Sequence, residues 1–155
     1  MSQLGVQAYS PEDLYLEWGK CTGGEWCLLR SLNLEHAVFV KLQGLSVIRH
    51  GGSDPRVAYV GKGAIAERLG VERIDPDILR YAHQALFVTW SPVPHSRMDG
   101  AESFLVAVLG PLKNKQIPTA PQVSVNLPWQ RPKMPARAGD TRRLLRYSLP
   151  GMEVF

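Results

Sequence analysis

Six residues are of types and at spacings that could do chemistry: Tyr59, Gly61, Lys62, Arg68, Glu102 and Asn114. The first four fall within the stretch AYVGKGAIAERLG, residues 58–70. A guanidinium such as Arg68 clamps an anion through two parallel hydrogen bonds. Lys62 adds a point charge. Gly61 has no Cβ, so a ligand can approach its backbone closely. The Tyr59 phenol can hydrogen-bond water or an anion. Glu102 offers carboxylate oxygen, the ligand a hard cation prefers.

The elements that must position these residues follow from the period of the apolar residues. GLSVIRH (44–50) and RVAYV (56–60) read as strands, and GGSDP between them has the glycines, Asp and Pro of a reversal, so 44–60 is expected to be an antiparallel hairpin. The period then changes. GAIAERL (63–69) sets Ile65 and Leu69 on one helix face, which puts Lys62 in a turn and Arg68 on the helix after it. DPDILRYAHQAL (75–86) begins with Asp75 as cap and Pro76 at the first helical position. LFVTW (86–90) reads as a third strand of the same sheet. MDGAESFLVAVLG (98–110) reads as a helix stopped by Gly110 and Pro111, with Glu102 in its first turn and Asn114 just beyond it. This order predicts an α+β fold, a small three-stranded antiparallel sheet flanked by helices.

Here the chain resembles the GIY-YIG nuclease superfamily. YVG (59–61) with the following ERL resembles the second half of that signature, and GLS (44–46) stands where the family has its first tripeptide. Downstream, Glu102 is followed by Pro111 nine residues later and Asn114 twelve later, the spacing of the family's helix motif. The nuclease domain of the bacterial nucleotide-excision endonuclease has the same motif. The resemblance covers residues 44–114. It implies Mg²⁺- or Mn²⁺-dependent endonuclease hydrolysis of DNA phosphodiester bonds. Tyr59, Arg68 and Glu102 would be catalytic, Glu102 would hold the metal, and Gly61, Lys62 and Asn114 would lie on the substrate side. Asn114 is also expected to tie the loop after its helix by side-chain hydrogen bonds.

Two positions depart from the family pattern. Ser46 replaces a tyrosine proposed to act as base or to position water, and Glu72 stands one turn after Arg68 where relatives often have Tyr or His. Tyr59, His50, His83 or His95 could supply the missing function. Two further functions stay open beside nuclease activity. One is a catalytically degenerate module that binds nucleic acid or a protein partner; the other is an unrelated small α+β interaction protein.

The totals fit one domain of 155 residues with a net charge of +4. Residues 1–43 are expected to be a helical extension, with helices over 11–19 and 25–34 and a short β segment at AVFVKL (37–42). Residues 115–155 form a Pro/Arg-rich tail. Within it, 131–147 hold six basic residues against Asp140 alone, a local excess larger than the net charge of the whole chain, consistent equally with a solvated tail and with a nucleic-acid partner. Cys21 and Cys27 complete no zinc pattern and are expected to be reduced. The start MSQLGVQAYS lacks the basic then apolar order of a secretory leader, and FLVAVLG is far too short to span a bilayer. A cytoplasmic protein without a membrane segment is the expectation.

Overall fold

A computed structural model of the chain describes residues 14–114 and 118–129. The cap at Ser10 and Pro11 and the basic run at 131–147 lie outside the described residues. The fold is α+β, built on a four-stranded antiparallel sheet. Its strands are β1 (Cys27–Leu28), β2 (Gln43–His50), β3 (Val57–Ala64) and β4 (Leu86–Pro92), in the order β1-β4-β2-β3. The helices are α1 (Ile65–Arg73), α2 (Pro76–Leu79) and α3 (His95–Leu109).

The expected hairpin is β2–β3, and the expected third strand is β4, which pairs with the other edge of β2. Alternation along β2 divides the core. Leu45 and Val47 join Val60 under the α3 residues Ala101, Phe104 and Leu105. Ile48 faces the opposite side with Tyr59, Val88 and Trp90, packed against Ile65 and Leu69 of α1. Both faces are therefore covered, and β2 is buried along most of its length. Among the described residues no helix is long and apolar enough to cross a membrane.

Several expectations are corrected. The sheet has a fourth strand because Cys27 and Leu28 pair with Val88 and Phe87. Residues 25–34 hold this strand and a 3-10 turn at Leu29–Ser31 instead of a short helix. AVFVKL holds a 3-10 turn at Ala37–Phe39, because the His36 ring nitrogen accepts the Val38 N–H and caps it. Residues 14–19 are not helical. Leu14, Leu16 and Trp18 are spaced by two, a strand's period. Leu14 bridges Val125, while Asn126 accepts the Leu16 N–H at 2.6 Å and donates to the Leu16 carbonyl at 2.9 Å.

β3 runs on through Gly61, Lys62 and Gly63 to Ala64, so Lys62 is a strand residue and not a turn residue. The bend into α1 occurs at Gly63, whose φ of +114° requires a glycine. The helix expected over 75–86 keeps its Asp75 cap, which accepts the Asp77 N–H, but stops at Leu79. Tyr81 stacks on His50, and the Gly51 N–H donates to the Gln84 and Ala85 carbonyls, so the chain turns there. α3 begins at His95, straight after Pro94, and Glu102 therefore lies about two turns inside it, not in its first turn. Gly110 ends α3 in the left-handed region, as expected. Cys21 and Cys27 are joined by a disulfide and are not reduced. The 3-10 turn at Thr22–Gly24 and the Cys21 N–H bond to Glu25 fold the segment until the two Cα atoms are 5.1 Å apart, a normal disulfide span.

Candidate functional site

The end of β3, the start of α1 and the middle of α3 carry the predicted residues, and of these Lys62 and Glu102 are in contact. Alternation on β3 sends Tyr59 toward the α1 side and Lys62 toward α3. The Tyr59 ring leans along its own strand over Gly61. A Cβ at Gly61 would lie 2.5 Å from the ring and 2.6 Å from the phenol oxygen. The space left by this glycine is therefore filled by Tyr59, which corrects the expectation that it admits substrate to the backbone.

Several charged groups bear on the Tyr59 hydroxyl. Burial pushes its pKa up from an ordinary 10.0; Glu72 and Glu102 add to the rise, while Arg68 and Lys113 oppose it. The Lys113 ammonium lies 5.2 Å from the centre of the Tyr59 ring.

Lys62 sits between two carboxylates one turn apart on α3, at 2.6 Å from Asp99 and 3.3 Å from Glu102. The hydrogen bond to Asp99 leads the causes that raise the Lys62 pKa; partial burial works against it, and Glu102 adds to the rise. On α1, Arg68 Nη2 is 3.6 Å from Glu72, and its buried Nε has no hydrogen-bond partner among the described residues. Glu72 is fully buried and takes a 2.8 Å bond from Lys113, which makes a second one to Asp75. Burial works to lower the Lys113 pKa, yet the bonds to Asp75 and Glu72 outweigh it and leave it raised.

Asn114 sits beside these groups with both amide atoms engaged. It donates to the Val60 carbonyl at 2.6 Å and accepts the Val60 N–H at 3.3 Å. With Leu112 and Lys113 bonding Val57 and Ala58, it covers the outer edge of β3.

No protein-family model, curated protein or solved structure matches this chain.

The other candidates lie elsewhere or are enclosed. Ser46 is buried opposite Gly61 and Trp90, and its hydroxyl has no partner among the described residues. His50 is buried at the far end of β2, with Nδ1 2.8 Å from the Gly51 carbonyl. His83 is exposed in the turn before β4. His95 opens α3, one turn before Asp99.

For a hard cation, two carboxylates, Asp99 and Glu102, stand one turn apart beside Lys62. Among the described residues no three His, Cys, Asp or Glu side chains group closely enough to hold a metal. Glu102 still fits an ion that keeps most of its water, because its contact with Lys62 is the longer of that lysine's two and the lysine keeps Asp99 without it. Sequence reasoning missed Lys113, Asp99 and Asp75. Two of them left a signal: Lys113 stands inside the Pro111 to Asn114 spacing, and Asp99 lies three residues before Glu102 on the same helix face.

Proposed function

We infer that the chain is a divergent GIY-YIG-like, metal-dependent endonuclease that hydrolyses phosphodiester bonds of DNA. One observation supports this reading: the end of β3 carries Tyr59 and brings Lys62 within 3.3 Å of Glu102 on α3, with Arg68 on the helix that follows and its charge bearing on the Tyr59 phenol. Arg68 clamps the scissile phosphate and offsets the charge that develops in the transition state. Tyr59, kept protonated, donates its hydroxyl to a phosphate oxygen or to the attacking water. Lys62 neutralises negative charge at the edge of the site, where its side chain is 40% exposed. A Mg²⁺ or Mn²⁺ ion held by Glu102 would supply further charge stabilisation. Asn114 fixes the edge of β3, and with it the position of Tyr59.

Glu102→Gln tests this. It keeps the volume and removes the charge, so Mg²⁺-dependent nicking of plasmid DNA should disappear while the circular-dichroism spectrum stays unchanged. Arg68→Ala should slow nicking by roughly 10²-fold or more, the scale for losing one transition-state donor. Equal cutting by wild type and Glu102→Gln would sink the assignment.

The burial of Ser46 favours a second reading, in which the module binds nucleic acid without cutting it. A hydroxyl enclosed between Gly61 and Trp90 cannot reach a water above the site. DNA binding that depends on Arg68, without nicking in either metal, would select this reading.

A further inference from the structure

Glu72 touches neither phosphate nor metal in the proposed chemistry, yet its carboxylate is among the most buried charges described, with the side chain 2% exposed. A buried carboxylate must be paired. Two cations are within reach. Lys113 makes a 2.8 Å charge-assisted hydrogen bond to Oε1, whereas Arg68 Nη2 stands 3.6 Å from Oε2, beyond hydrogen-bond length. Lys113 is also fixed in place. Its own N–H donates to the Ala58 carbonyl at 2.8 Å, its ammonium bonds Asp75, and its neighbour Asn114 grips Val60. Arg68 has the opposite character. Its Nε is buried without an acceptor among the described residues, and the contact of Nη2 with Glu72 is long. The side chain is 36% exposed, so its outer N–H groups can meet an oxyanion from solvent.

We propose that Lys113 is a positioning residue: by occupying Glu72, it leaves the Arg68 guanidinium free to take a phosphate oxyanion. Arg68 and Glu72 are four apart on α1, so a small rotation would close the remaining gap. Without the ammonium, the buried carboxylate draws in the arginine, and the clamp becomes an intrahelical ion pair. The identity of the anion rests on the phosphodiester reading above; the competition for Glu72 does not.

The test uses the full chain with Lys113→Met, Glu72→Gln and the double variant. The first readout is the ¹⁵N resonance of the Arg68 Nε–H, assigned by its loss in Arg68→Lys. In Lys113→Met this resonance should move, with solvent exchange slowed by about tenfold as the guanidinium becomes bonded. In the double variant it should return to the wild-type position. The second readout is affinity for a short DNA duplex, expected to fall about tenfold in Lys113→Met and to recover in the double variant. An unmoved Arg68 resonance in Lys113→Met overturns the proposal. So does a double variant that still binds as weakly as Lys113→Met, because Lys113 would then be touching phosphate itself. Should Lys113→Met fail to fold, Glu72→Gln decides: Arg68 and the affinity should remain as in wild type, and a tenfold loss overturns the proposal. A wild type that ignores DNA, with the Arg68 resonance moving as expected, defeats the phosphodiester reading and supports the positioning role.

Discussion

Gly61 and Gly63 stand two residues apart on one strand and serve different ends. Gly63 turns the backbone into α1, while Gly61 makes room for the ring of Tyr59. From the sequence the two were indistinguishable, because a glycine motif does not say which member needs positive φ and which needs an absent side chain. Arg68, Lys62 and Glu102 were legible as candidates; the buried Glu72–Lys113 pair was not, since burial is a property of the assembled fold. Tyr59 carries a prediction of its own. Its folded pKa lies above the unfolded 10.0, so the proton is held more tightly in the folded state. The associated stability is fully present below the unfolded value and is lost as pH rises through the folded one. Compared with Tyr59→Phe in urea unfolding, the wild type should hold a constant difference from about pH 7 to about pH 9 and lose ground above about pH 10. Curves that stay parallel to about pH 11 would mean the phenol is not enclosed as described.

At the scale of elements, the edge of β3 is managed by the segment that follows α3. Leu112, Lys113 and Asn114 bond Val57, Ala58 and Val60 in succession, which leaves little of that half of the strand for another chain to pair with. Asn114→Ala should cost roughly 1–3 kcal/mol, because it leaves the Val60 N–H and carbonyl without their partners. A lower urea midpoint with an unchanged slope is the expected result, and a midpoint equal to wild type would show that the clasp contributes nothing. The elements that carry the site were readable because their signals are local: the turn chemistry at 51–55, the Asp75 cap and the Gly110 stop. The elements that escaped are short or depend on distant partners. β1 is two residues long. The alternation of Leu14, Leu16 and Trp18 acquires meaning only beside Val125 and Asn126, more than a hundred residues away.

For the whole molecule, net charge and its placement govern encounter with a polyanion. The basic excess at 131–147 lies outside the described body, and ending the chain after Trp129 removes it while sparing the contacts of Val125 and Asn126. Such a truncation should weaken DNA binding and flatten the dependence of log affinity on log salt, since fewer counterions are released. An unchanged slope would assign the affinity to Lys62, Arg68 and their neighbours alone. The contacts spared in that experiment have a kinetic meaning. Leu16 and Asn126 are 110 residues apart and bonded twice. Closing so long a loop costs the chain more entropy than forming the β2–β3 hairpin does, so this seam zips late in folding. It also makes the two flanks one another's scaffold. A protease that trims either side through this seam opens the same face of the sheet, and Leu16, Trp18 and Val125 lose their shelter together.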